Sequence, residues 1–177
     1  KMNKTEILAI INQKGGVGKT TTAINLAAGI ALKNKNVLVI DLDPQGNATT
    51  GLGISNSENS DETVYAVLNG IKKIADVIKK SNFDNLDIIS SNVDLSGLEV
   101  ETASDNRRAF ILKEQITAYL NDNKGKYEFI LIDCPPSLSL LTVMALVASH
   151  SLVVPLQTEF FALEGLTQLM KTIDRIK

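Results

Sequence analysis

One cysteine and one histidine are all that the 177 residues contain. A single cysteine, Cys134, permits no internal disulfide, which fits a reducing compartment and predicts a cytoplasmic location. A lone histidine, His150, makes no metal site. Charge of one sign is lacking as well. The 18 Lys and Arg against 20 Asp and Glu leave a net charge of -2, so composition carries no basic footprint for nucleic acid. No apolar run approaches the ~18 residues of a membrane-crossing helix, so no membrane span is expected. The opening Lys1-Met2-Asn3-Lys4 has no apolar stretch of the signal-peptide kind; a lysine ahead of a methionine reads as a tag remnant or flexible start. Hydrophobic residues at 44% and charged residues at 21% exclude wholesale disorder, and the length suits one domain over 1–177.

What is present is an alternation of short apolar runs with longer amphipathic segments. EILAII (6–11), VLVIDLD (37–43), LDIIS (86–90), YEFILID (127–133) and SLVVPL (151–156) read as five strands. TTAINLAAGIALK (21–33) spaces Ile24, Leu26, Ala27, Ile30 and Ala31 at helical intervals. Further helices are predicted over 64–71, 74–80, 105–122, 138–149 and 159–176, with Phe110, Ile111, Ile116, Tyr119 and Leu120 as the packed stripe of the third. Residues 55–62 form a polar loop. Strands that are apolar throughout, separated by helices, predict a three-layer, doubly wound α/β fold. Its mostly parallel sheet would carry helices on both faces. Ligands of such sheets bind beyond the carboxyl ends of the strands.

The unusual residues fall at those ends. NQKGGVGKTT (12–21) follows the first strand. Gly15, Gly16 and Gly18 let the backbone curl so that its amides face an anion. The helix starting near Lys19 adds its positive end. Lys19 is placed to reach β- and γ-phosphates, and the Thr20 hydroxyl to bind Mg²⁺. Yet Gln13 stands where the usual phosphate loop has its first glycine, and a second lysine, Lys14, opens the run. FILIDCPP ends a strand in Asp133, a carboxylate suited to the Mg²⁺ shell through water, or otherwise a turn residue. DLDPQGN (41–47) spaces Asp41 and Asp43 two apart, which on a strand puts them on one face, before Pro44 and Gly46 bend the chain. A carboxylate held there suits orienting a water for attack on a γ-phosphate; the plainer alternative is a turn that Asp side chains stabilise. Cys134 reads as a small buried residue, and Phe160 and Phe161 as core.

KGGVGKTTT, DLDPQGNATTGLG, FILIDCPPSLSLLT and PLQTEFFALEGLTQL together resemble the ParA/Soj family of chromosome and plasmid partitioning ATPases. That family lies within the deviant Walker-A, MinD/ParA group, which has a P-loop NTPase fold. The resemblance implies ATP and Mg²⁺ as cofactors. It implies a nucleotide site made of Lys14, Gly15, Gly16, Val17, Gly18, Lys19, Thr20 and Thr21, with Thr20, Asp133 through water, and Asp41 near the metal. Lys14, Lys19 and Asp43 would carry catalysis. Lys14 would reach across a face-to-face, ATP-dependent homodimer to the partner's phosphates, and Asp43 would position the water. A ParB-type centromere-binding protein would stimulate hydrolysis. Nonspecific DNA binding would belong to the full-length parent, near the bacterial nucleoid.

Two departures stand out. TVMAL replaces a stretch around Met144 where the family often has asparagine. The chain also stops at Lys177 inside a helical pattern, and so reads as truncated at its C-terminus, without the strands that supply base contacts and basic residues. A MinD-like, membrane-associated or cargo-positioning ATPase remains the alternative, though DPQGN favours ParA/Soj. A metabolic kinase would need an acceptor pocket that the sequence does not indicate.

Overall fold

A computed structural model describes residues 4–11, 19–55 and 59–155, with the backbone alone at 19–21. The predicted loop residues 12–18 and the predicted helix 159–176 lie outside the described residues.

The elements run β1 (Glu6–Ile10), α1 (Lys19–Leu32), β2 (Val37–Asp41), α2 (Asn47–Gly51), α3 (Val64–Leu68), α4 (Ile74–Val77), β3 (Ile78–Lys80) and β4 (Leu86–Ile89). There follow α5 (Leu98–Glu101), α6 (Ile111–Asp122), β5 (Phe129–Asp133), α7 (Leu140–Ala148) and β6 (Ser151–Val153). The six strands form one sheet in the order β3-β4-β2-β5-β1-β6. Every neighbouring pair is parallel except β3 with β4.

Alternate residues of the central strands feed two separate cores. Val37 and Val39 join Ile10, Leu86, Ile88 and Leu131 beneath Ala23, Ala27 and Ala31 of α1. Those alanines recur every four residues, so one small-residue stripe lets α1 lie close to the sheet. Leu38 and Ile40 point the other way and join Ile7, Ala9, Ile130 and Ile132 beneath α3, α6 and α7. Both faces are thus covered, and β2 is buried at all five positions. That is why these strands read as continuous apolar runs.

β1 leads through α1 toward β2, and β5 leads through α7 toward β6, on the opposite face and in the opposite direction. The crevice between the carboxyl ends of β1 and β5 is therefore the topological switch point, where ligands of such sheets sit.

The segment 74–80 differs from its predicted helix. One helical turn, α4, gives way to the antiparallel edge strand β3, with Ile78 opposite Ile89. Ile74, Val77 and Ile78 have helical spacing, which suggested the helix. The open edge of β4 wins because it offers backbone partners to Ile78, Lys79 and Lys80, and the β-branched Ile78 suits a strand. Lys79 and Lys80 then blunt the new edge. β6 is accordingly the sixth strand rather than the fifth. In α6 the buried residues are Leu112, Ile116 and Tyr119, while Phe110 precedes the helix, 40% exposed under the Arg107 guanidinium. α2 had no counterpart in the sequence pattern.

Candidate active site

Three strands end on one row. Ile10 of β1 and Asp41 of β2 both stand opposite Asp133 of β5. The pairing continues one step further, with the Leu42 amide donating to Asp133 O at 2.8 Å and the Cys134 amide donating to Ile10 O at 3.1 Å. Beyond Ile10 the chain enters the glycine run, and α1 begins at Lys19. Lys14, Gly15, Gly16, Val17 and Gly18 lie outside the described residues. Lys19, Thr20 and Thr21 form the first turn of α1, so their backbone sits at the helix start that the sequence predicted.

Asp41 and Asp133 are both fully buried. Burial, and secondly the neighbouring Asp133 carboxylate, raise the Asp41 pKa to about 7. Hydrogen bonds oppose that rise. Asp41 Oδ1 accepts from the Asp43 amide at 3.0 Å, and Oδ2 accepts from the Thr49 amide at 2.9 Å and from Thr49 Oγ1 at 2.7 Å. Two adjacent buried carboxylates make a place where positive charge is stabilised. Among the described residues, no group of three or more His, Cys, Asp or Glu could hold a metal ion. Mg²⁺ needs no such cage, since it takes one or two carboxylates and fills its octahedron with phosphate oxygens and water. The donor set fits Mg²⁺ beside Asp133, while the oxygens of Asp41 are engaged in holding the loop.

Asp43 does not lie on β2, as the spacing alone suggested. The strand ends at Asp41, and Asp43 opens a tight turn. Asp43 Oδ1 accepts from the Gln45 amide at 3.0 Å, and Asp43 O accepts from the Gly46 amide at 2.9 Å. Gly46, with φ +68°, then leads into α2. The carboxylate is therefore fixed by its own turn, with Asp43 only 5% exposed.

The sequence reading assigned no role to Thr49 and Ser91. The Thr49 hydroxyl receives the Ser91 amide at 3.0 Å, and Ser91 Oγ donates to Asp43 O at 2.8 Å. An open groove of about 510 Å³ runs beside this turn, lined by Pro44, Gln45, Gly46, Thr50, Asn92 and Asp94 among others. The reading of Cys134 as a small buried residue agrees with the structure. His150 sits at a junction, where its amide donates to Ile7 O at 2.8 Å.

Residues 5–177 match the model of the AAA domain family. The chain is 50% identical over 175 residues to the chromosome partitioning protein ParA of Caulobacter vibrioides. It is 48% identical over 168 residues to the sporulation initiation inhibitor protein Soj of Bacillus subtilis. These alignments cover 99% and 95% of this chain, which spans 64% of the length of each relative. Among solved structures, cobyrinic acid a,c-diamide synthase from Mycobacterium smegmatis with bound ADP and magnesium superposes with a TM-score of 0.87 at 35% identity. That superposition covers 98% of this chain and 68% of that one. A plasmid partition protein from Borrelia burgdorferi gives a TM-score of 0.83 at 30% identity, over 98% and 75%. The chain belongs to this AAA domain family, within its ParA/Soj group of chromosome and plasmid partitioning ATPases.

Proposed function

We propose that this chain is the nucleotide-binding part of a Mg²⁺-dependent, ATP-hydrolysing switch that serves DNA segregation. The observation carrying this reading is the row of strand ends. Ile10, the last residue of β1 before the glycine run in the sequence, stands level with Asp133 and Asp41, and Asp43 is held in a tight turn two residues on.

Bound ATP supplies the phosphoryl group, and Mg²⁺ supplies charge compensation at its oxygens. The backbone amides of 14–21, with Lys19, cradle the phosphates. Thr20 and, through water, Asp133 would hold the metal. Asp41 keeps the turn in place. Asp43 orients the attacking water, a positioning task suited to a carboxylate whose backbone cannot drift. Lys14 acts in trans within an ATP-dependent homodimer, so assembly follows the charge state of the nucleotide. In the full-length protein, a ParB-type partner stimulates hydrolysis, and nonspecific DNA binding places the dimer on the nucleoid in the cytoplasm. No described helix is long and apolar enough to cross a membrane.

The synthase has the higher TM-score of the two solved structures, but one fold hosts several chemistries, so fold likeness does not decide function. The higher identity to ParA and Soj, together with the DPQGN turn, favours the switch.

The test is steady-state ATP turnover and ATP affinity in the full-length natural protein and its Asp43→Ala variant. The variant is expected to bind ATP normally and to turn over roughly 10²–10⁴-fold more slowly. Unchanged turnover would remove Asp43 from the mechanism.

A further inference from the structure

We propose that Thr49 is a positioning residue for hydrolysis: its buried hydroxyl ties the Asp41 carboxylate to the Ser91 amide and so fixes the turn that presents Asp43. The inference rests on the ATPase reading above and deepens it.

The four residues close a ring. The Asp43 amide donates to Asp41 Oδ1 at 3.0 Å. Thr49 Oγ1 donates to Asp41 Oδ2 at 2.7 Å and accepts from the Ser91 amide at 3.0 Å. Ser91 Oγ returns to Asp43 O at 2.8 Å. Relative exposures along the ring are 0% for Asp41, 3% for Thr49, 2% for Ser91 and 5% for Asp43. Both the amide and the carbonyl of Asp43 are thereby held, from opposite sides and away from bulk water.

Thr49 is the joint of this ring because a hydroxyl donates and accepts at once. Its donor side meets the residue that stands next to Asp133 in the sheet. Its acceptor side meets Ser91, just past the end of β4 and 42 residues away. The place of β4 is thus passed to the carbonyl of Asp43. Valine has threonine's shape but neither hydrogen-bonding function. In Thr49→Val the buried Ser91 amide loses its acceptor, and Asp41 Oδ2 keeps only the Thr49 amide. Ser91 is then free to shift, and Asp43 with it. A displacement near 1 Å at a positioning group costs up to about 10²-fold in rate.

The experiment compares wild type, Asp43→Ala, Thr49→Val, Thr49→Ser and Ser91→Ala in the full-length natural protein. Its readouts are kcat, KM for ATP, nucleotide affinity and thermal midpoint. Thr49→Val is expected to lower kcat by roughly 10–100-fold with KM and affinity unchanged. Thr49→Ser, which keeps the hydroxyl, is expected to restore kcat. A purely structural role would lower the thermal midpoint and leave kcat alone. Full turnover in folded Thr49→Val overturns the proposal while Asp43→Ala remains inactive. Should Thr49→Val fail to fold, Ser91→Ala carries the same test, because it breaks the bond to Asp43 O directly, and full turnover there overturns the proposal equally. A wild-type protein that does not hydrolyse ATP overturns the ATPase reading itself, and this inference with it.

Discussion

Asp41 would carry its charge in a place with no water, and that makes stability depend on pH. Its carboxyl is raised from 3.8 to about 7, by burial first and by Asp133 second. Below about pH 4 the folded and unfolded chains both hold the proton, and the fold bears no penalty. As pH rises toward 7 the unfolded chain releases the proton while the folded one retains it, so stability falls. Above about pH 7 the loss is complete, on the order of 4 kcal/mol. Without nucleotide or Mg²⁺, the wild type is therefore expected to lose stability between about pH 5 and about pH 8 relative to Asp41→Asn. Urea denaturation at both values measures this. The readout is the pH slope, not absolute stability, because the asparagine amide cannot accept from Thr49 as Oδ2 does. Equal slopes in the two proteins would mean that Asp41 ionises in the fold as it does in the unfolded chain. The sequence showed an aspartate closing an apolar run, and so gave its location. It could not show the three donors around it, two of which come from Thr49 eight residues on.

At the scale of elements, the turn between β2 and α2 depends on one backbone conformation. Gly46 has φ +68°, in the left-handed region, and a Cβ there would lie 3.4 Å from Ser91 O. Gly46→Ala is expected to cost about 1–2 kcal/mol, and Gly46→Asn less, since asparagine tolerates that conformation. Chemical denaturation of the two variants checks the order. An alanine variant as stable as wild type would show that the turn re-forms in another shape. DPQG announced this turn openly, because proline and glycine have few roles. The buried strands were equally legible, since covering both sheet faces removes every polar position from runs such as VLVI. β3 was not legible. Its Ile78 fits a helix and an edge strand alike, and only the open side of β4, set by residues 86–89, decides between them. Thr49 and Ser91 were hidden for a related reason. Threonine and serine are common in polar turns, and their meaning here comes from partners 42 and 48 residues apart in the chain.

For the whole molecule, the position of the site decides how it can be regulated. The crevice opens at the carboxyl edge of the sheet, where Asp41 and Asp133 stand side by side with buried carboxylates. In the function proposed above, triphosphate and metal enter at this edge, and the resemblance to ParA/Soj implies a second copy that closes over it and contributes Lys14. A cation donated across an interface links assembly to the nucleotide present, since loss of the γ-phosphate removes the charge that the lysine meets. Blocking hydrolysis should then trap the assembly. The full-length Asp43→Ala protein with Mg-ATP is expected to show twice the monomer mass by light scattering after size exclusion, and the monomer mass with Mg-ADP. Adding Lys14→Ala to that variant is expected to return it to monomer while ATP stays bound, because in the proposed site Lys19 serves the phosphates within one copy. A dimer that persists without Lys14 would place the energy of assembly elsewhere, in surface contacts rather than in the charge on the nucleotide.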